Sequence, residues 1–340
     1  MSLSFKVVHQ SLPLSQVFRI SRGAKTTAEV IVVLVTDGTY TGWGEAVPYQ
    51  RYGESIESVI LQIRKVTEHF TENAYQNQLE QWLPSGSARN ALDCAMWDLR
   101  AKQQSCSVNE ILKLPLAPTC ITAQTISLGS VHAMQQAALK LTSAPLIKIK
   151  LDGQEVLEKM QKIHSACPNS HFIIDANEAW QKSLLEKVLA PLSKMNVVLI
   201  EQPLPAEQDD ELLNFASPIP ICADESCHAS QDLDQLVGKY SAINIKLDKT
   251  GGLTEAVKLL HRAKTLDFQI MVGCMVGSSL AMAPAYALCG MADFVDLDGP
   301  LLVAKDRVSR FTFDNGVMSS IPTELWGMGN VNDPDITALS

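Results

Sequence analysis

The chain has 340 residues and a mass of 37.2 kDa, a length that admits about two domains or one large barrel with an addition. With 46% hydrophobic and 19% charged residues it carries ample material for a full core, which excludes a disordered or collagen-like chain. Its 28 Lys+Arg against 37 Asp+Glu leave a net charge of −9 and, with no run of basic residues, exclude binding of nucleic acid or an anionic membrane by bulk electrostatics.

The first residues, MSLSFKVVHQ, carry no basic stretch followed by an apolar one, and no window approaches 18 uninterrupted apolar residues. The expectation is a chain without signal peptide or membrane span. Its eight cysteines form no CxxC pair and are scattered, which reads as reduced thiols in the cytoplasm.

Residues 1–117 read as strands followed by helices. SFKVVHQ and AEVIVVLVTD have strand character, and a turn at Asp37 and Gly38 leads into TYTGWGEA as a hairpin partner. From residue 54 the period changes, with Ile56, Ile60, Ile63 and Val66 at three- and four-residue spacing. A second helical face runs through Ala91, Leu92, Ala95, Met96 and Leu99. Strands segregated from helices imply an α+β domain, and Pro115 and Pro118 mark its seam.

After the seam, short apolar runs alternate with helical stretches: CITAQTIS, LIKIKLD, HFIIDANE, VVLIEQPL, PICADES, AINIKLD, FQIMVGCM and FVDLDGP. A polar or small residue stands near the end of each: Thr125, Lys150, Asp175, Glu201, Asp224, Lys246, Cys274 and Asp298. Their spacing of 22 to 28 residues suits one strand, one helix and two loops. Eight such units close into an α/β barrel of the (β/α)8 type, and no glycine-rich phosphate loop favours an open sheet. Strand ends in a barrel converge on one mouth, so these ionisable residues should meet there.

Asp175, Glu201 and Asp224 end three consecutive strands. Three carboxylates side by side repel one another unless a cation joins them, and an oxygen-only set favours Mg2+. Lys148 and Lys150 lie two apart on one strand and share a face, while Lys246 comes from four units later, across the barrel. Lysines crowded beside Mg2+ are expected to have lowered pKa values and to serve as general bases. Two such lysines flanking the metal suggest abstraction of a proton next to a carboxylate, an arrangement described for the enolase superfamily.

The KxK of Lys148 and Lys150, DAN at 175–177, EQP at 201–203, ADES at 223–226 and KxDKxGG from Lys246 together resemble the enolase superfamily, muconate-cycloisomerase subgroup, over nearly the whole chain. Within it the longer words RYGES, ARNALDCAMWDL, CADESCH, NIKLDKTGGLTEA and DLDGP resemble the L-Ala-D/L-Glu epimerases, dipeptide epimerases acting on murein-derived peptides. The resemblance implies a (β/α)7β barrel over about 118–305, capped by the α+β domain and completed by a C-terminal tail of about 306–340. It assigns Lys150 and Lys246 as the acid/base pair, Asp175, Glu201 and Asp224 as Mg2+ ligands, and Lys148 as a contact to the substrate carboxylate. Asp296 and Asp298 would capture the dipeptide's ammonium, and Arg22 the glutamyl carboxylate, with Arg19 and Lys25 as rivals. Thr125 and Cys274–Met275 stand at strand ends near substrate, Tyr49, Arg51 and Tyr52 in a second cap loop that closes the mouth. Glu225 is expected to brace a lysine, and Glu45 to be structural.

The expected reaction is a Mg2+-dependent 1,1-proton transfer through an enediolate, interconverting L-Ala-D-Glu and L-Ala-L-Glu in murein peptide recycling by a homo-oligomer. Alternatives left open are a muconate cycloisomerase or o-succinylbenzoate synthase on the same scaffold, and a catalytically silent binding protein.

Overall fold

Long β-branched runs build the first layer. In the computed structural model, which describes residues 3–68, 70 and 78–329, strands β1 (Ser4–Ile20), β2 (Gly23–Thr36) and β3 (Thr41–Ala46) pair antiparallel in that order. From Val30 to Val35 both faces of β2 are buried, which explains the unbroken apolar run there. Ile31, Val33 and Val35 pack into the core of the cap with helices α1 (Ile56–Thr67) and α2 (Ser87–Gln104), and Val30, Val32 and Leu34 face the main core. The two glycines of GWGEA are needed for contact: a Cβ on Gly44 would lie 2.5 Å from Ala91 O and 2.7 Å from Ala95 N of α2.

The second body is a parallel cylinder. After a short strand β4 (Thr119–Ile121) come β5 (Gln124–Ile126), β6 (Leu146–Lys150), β7 (His171–Asp175), β8 (Val197–Glu201), β9 (Ile221–Ala223), β10 (Ala242–Ile245), β11 (Gln269–Gly273) and β12 (Phe294–Asp296). The eight strands β5 to β12 neighbour one another in chain order. The seam between first and last is bridged by Ala123 N–H to Val295 O (2.8 Å) and Leu297 N–H to Thr122 Oγ1 (2.8 Å). Helices α3 (Val131–Ala138), α4 (Val156–Ala166), α5 (Lys182–Leu192), α6 (Leu253–Thr265) and α7 (Ser279–Tyr286) lie between strands. Inside, Leu146, Ile173, Leu199, Cys222, Ala242 and Met271 form one apolar layer that plugs the lower end. Two residues further along, the inward positions are ionisable in four of these six strands, at Lys148, Asp175, Glu201 and Asp224, and are Asn244 and Gly273 in the other two.

Two expected strands differ from the structure. CITAQTIS divides: β4 leaves the cylinder to pair with β14 (Val317–Ser319), itself a hairpin partner of β13 (Phe313–Asp314). AINIKLD stops at Ile245 and turns into a short helix over Leu247–Thr250, because Lys246 must face the mouth while Asp248 reaches the cap. The chain then returns to α2, where Trp326 Nε1 donates to Cys94 O (3.0 Å), Gly327 N to Asp98 Oδ1 (2.7 Å) and Trp43 Nε1 to Leu325 O (2.6 Å). Residues 330–340 of the expected tail lie outside the described residues.

Candidate active site

All five residues of β6 are buried, and strand alternation turns Lys148 and Lys150 to the inside with Leu146 below them. Ladder register sets Lys150 beside Asp175, and Asp175 beside Glu201. The Lys148 ammonium stands 2.6 Å from Glu201 Oε2, 2.8 Å from Asp296 Oδ2 and 3.1 Å from Asp175 Oδ2. Lys150 Nζ lies 2.5 Å from Asp175 Oδ2, and Lys246 Nζ lies 2.6 Å from Asp224 Oδ2. The residues read from strand ends thus meet in one buried cluster.

Burial disfavours every charge here, so neighbours decide the direction. Burial works against the Asp175 and Asp224 carboxylates, but lysines outweigh it and hold both below the usual range: Lys150 and Lys148 at Asp175, Lys246 and Lys249 at Asp224. Glu201 goes the other way, raised by burial and by Asp175. Burial would lower Lys148 and Lys246, yet Asp296 and Glu201 at the first, and Asp224 and Glu201 at the second, hold both ammoniums well above their ordinary range.

Each of the three carboxylates has one oxygen anchored by a fixed donor. Asp175 Oδ1 accepts from Asn177 N (2.9 Å), Glu201 Oε1 from Asn244 Nδ2 (2.7 Å), and Asp224 Oδ1 from Lys249 Nζ (2.6 Å). The second oxygen of each faces a mouth lysine, so among the described residues no three acidic, His or Cys side chains form a ready metal cluster. Glu201 Oε2 is buried without a hydrogen bond, its contact to Lys148 being an ion pair lacking hydrogen-bond geometry. Three oriented oxygens, one per carboxylate, suit a hard divalent cation.

Across the seam, Asp298 Oδ2 accepts Thr125 N–H (2.7 Å), so Thr125 contributes its backbone. Burial first, then Asp296, pushes the Asp298 carboxyl up to about 7. Asp296 Oδ1 is buried with no hydrogen-bond partner. Together with Phe18, Cys274 and Met275 the two acids line a narrow recess beside Lys148 and Lys150.

A cavity of about 990 Å3 separates cap from mouth, lined by Phe18, Arg22, Lys25, Tyr49 and Tyr52 above Lys150 and Lys246. Arg22 does not present a free guanidinium to it. Nη1 donates to Glu178 Oε2 (2.9 Å) and Asn177 O (2.9 Å), and Nη2 to Glu225 Oε1 (2.6 Å) and Tyr49 OH (3.2 Å). Glu225, expected to brace a lysine, braces Arg22 instead, because its carboxylate points up to the cap; burial and Asp224 push it to about 7. Lys25, partly buried over the Tyr49 ring at 5.2 Å, has no carboxylate within ion-pair distance among the described residues. Glu45 is buried against Arg307 Nη2 (2.5 Å) and Ser278 N (2.8 Å), joining β3 to the start of α7, which agrees with a structural role.

Several contributors escaped the sequence reading. Asn244 holds Glu201, and Gly273 leaves room for it, since a Cβ there would meet Asn244 Oδ1 at 2.5 Å. A polar residue two before Lys246 in an apolar strand was a period-2 signal for it. Gln202, fully buried, accepts from Asp224 N and Ser226 N and donates to Leu204 O, tying two strand ends together. Lys249 stood in the KxDKxGG word without a role assigned to it, and Glu178 gave no local signal.

Residues 2–112 match the family model described as Mandelate racemase / muconate lactonizing enzyme, N-terminal domain, and residues 130–329 the one described as Enolase C-terminal domain-like. An N-acetyl-D-glutamate racemase of Pseudoalteromonas sp is 53% identical over 300 residues, covering 88% of this chain and 95% of the relative. An L-Ala-D/L-Glu epimerase of Escherichia coli (strain K12) is 43% identical over 313 residues, covering 92% and 98%. A solved enolase family member from Agrobacterium tumefaciens, with homology to dipeptide epimerases and bound sodium and L-Ala-L-Glu, superposes with a TM-score of 0.91 at 41% identity over 96% of this chain and 100% of that one. A dipeptide epimerase from Methylococcus capsulatus, complexed with Mg and L-Arg-D-Lys, superposes with a TM-score of 0.85 at 27% identity over 98% and 100%. The chain therefore belongs to the mandelate racemase/muconate lactonizing enzyme family of the enolase superfamily, among isomerases that act on amino acid derivatives.

Proposed function

We propose that this chain is a Mg2+-dependent epimerase that interconverts L-Ala-D-Glu and L-Ala-L-Glu by 1,1-proton transfer at the glutamyl α-carbon. The observation that carries the reading is the placement of Lys150 and Lys246 at the ends of β6 and β10, four strands apart in an eight-stranded cylinder. Bases on opposite walls reach opposite faces of a planar carbon. One lysine takes the proton, the other returns one from the far side, and the roles exchange with the diastereomer.

Asp175, Glu201 and Asp224 would hold the Mg2+, which when bound supplies a Lewis acid for the substrate's α-carboxylate. Lys148 lies between these ligands and Asp296, and orients the same carboxylate from below. Asp296 and Asp298 receive the dipeptide's ammonium, in keeping with the unpartnered Asp296 Oδ1. Lys25, in place of Arg22, receives the side-chain carboxylate, since the Arg22 guanidinium is occupied by protein acceptors. With this reading goes a cytoplasmic homo-oligomer handling peptides released from murein.

A second reading has a specific basis. The 53% identical relative is named for N-acetyl-D-glutamate. Both substrates are N-acylated glutamates with the same reacting carbon, and they differ in whether an ammonium must be received. Proton NMR in D2O with L-Ala-D-Glu, L-Ala-L-Glu and N-acetyl-D-glutamate tests both, with Mg2+ and with a chelator. Metal-dependent deuterium at the glutamyl α-carbon with inversion of the dipeptide supports the first reading. Turnover of the N-acetyl compound alone transfers the assignment to the second, and exchange in none of them removes both.

A further inference from the structure

We propose that Glu178 is a positioning residue that holds both cap loops closed over the mouth. It touches no reacting atom. It sits three residues past Asp175, and both Asn177 (φ 45°) and Glu178 (φ 68°) adopt the left-handed conformation, which turns the Glu178 side chain up to the cap. That turn is itself fixed, since Glu178 N–H donates to Gln202 O (2.9 Å) and Trp180 N–H to Pro203 O (2.9 Å).

The carboxylate gathers donors from three segments. Oε2 takes Arg22 Nη1 (2.9 Å) from the loop joining β1 to β2, and Arg51 Nε (3.1 Å) from the loop after β3. Oε1 takes Arg51 Nη2 (3.0 Å) and Ala206 N (3.0 Å) from the segment after β8. The side chain is only 9% exposed, whereas Arg22 and Arg51 are 27% and 33% exposed, so the acid is the fixed partner and the arginines are the parts that come and go. One further contact joins the loops to each other, Arg22 Nη2 to Tyr49 OH (3.2 Å), and another ties the second loop to the barrel, where the Tyr52 ring meets His228 edge to face at 4.5 Å. The same loops contribute Arg22, Lys25, Tyr49 and Tyr52 to the roof of the cavity. Substrate enters and product leaves when these loops lift, so the strength of the Glu178 contacts sets how long the site stays shut.

The kinetic part of this inference rests on the proposed epimerase reading, and the structural part does not. The experiment uses the full chain with Glu178→Gln, which keeps an acceptor and the turn, with Arg51→Gln as a second variant from the exposed side, and with both combined. Hydrogen exchange on the protein alone should rise about tenfold or more over residues 19–26 and 48–55 in either variant, with the barrel strands unchanged. With L-Ala-L-Glu and Mg2+, KM should rise about tenfold while kcat is kept or raised, and the double variant should be little worse than either single one. Unchanged exchange in both loops overturns the proposal, as does a fall in kcat at constant KM or full additivity of the two substitutions. Faster loop exchange in variants of a protein whose parent turns over no glutamyl compound sustains the latch and rejects the epimerase.

Discussion

Asp298→Asn separates the two substrates proposed for this site. The carboxylate is buried, one oxygen is held by Thr125 N–H at 2.7 Å, and its neighbour Asp296 already gives one oxygen to Lys148. The Asp296 charge is shared with Lys148, so an incoming ammonium that also meets Asp296 Oδ1 draws its unbalanced negative charge mainly from Asp298. A hydrogen bond to a charged group contributes about 1.5–3 kcal/mol, so its loss should lower kcat/KM for L-Ala-L-Glu roughly 10- to 150-fold. N-acetylglutamate brings no ammonium, and its kcat/KM should change by less than about threefold. The pH dependence follows with a definite sign. Burial and Asp296 raise this carboxyl from an ordinary 3.8 to about 7, so the substrate-free site takes up a proton as pH falls through that value. Dipeptide binding needs the ionised form, and its kcat/KM should climb as pH rises through about 7, a limb that the N-acetyl substrate lacks or shows reversed. Coupled polarimetric or chromatographic assays from pH 5.5 to 8.5 on parent and variant measure both effects. Equal loss for the two substrates, or parallel pH profiles, would refute an ammonium receptor at Asp298.

Replacing Lys150 or Lys246 by Ala should each reduce inversion about 10²- to 10⁴-fold, while the α-proton of one diastereomer still exchanges with D2O from the remaining lysine's side. Loss of exchange from both diastereomers in either variant would rule out one base per face. Lys25→Met should cut kcat/KM for L-Ala-L-Glu about 10- to 150-fold and leave L-Ala-L-Ala nearly untouched, and an equal loss on both dipeptides would remove Lys25 from the side-chain subsite. Gly44→Ala places a methyl 2.5 Å from Ala91 O, so calorimetry should find about 2–3 kcal/mol of lost stability, and an unchanged Tm would mean that α2 can give way.

Much of the catalytic centre was legible because a parallel strand–helix repeat converts chain spacing into position. Asp175, Glu201 and Lys150 needed only the rule that strand ends share a mouth, and the ladder sets them side by side. Lys148 needed only the two-residue period. Asn244 was equally available from that period and was passed over, although its amide holds Glu201 in place. Arg22 was placed correctly on a loop of the cap, but its partner there was not readable. The carbonyl and carboxylate acceptors it meets lie 155 to 203 residues away, and nothing local in SRGAK or DANE announces them.

The sequence by itself determined the barrel and the ionisable residues at its mouth, because both follow from short-range periodicity repeated along the chain. Tertiary structure alone decided which cap cations are taken up by protein acceptors, which oxygen of each carboxylate is anchored, and that Glu178 joins three segments. Those outcomes depend on how loops cross one another in space, where a left-handed turn or a neighbouring backbone amide redirects a side chain without leaving a pattern in the residues around it.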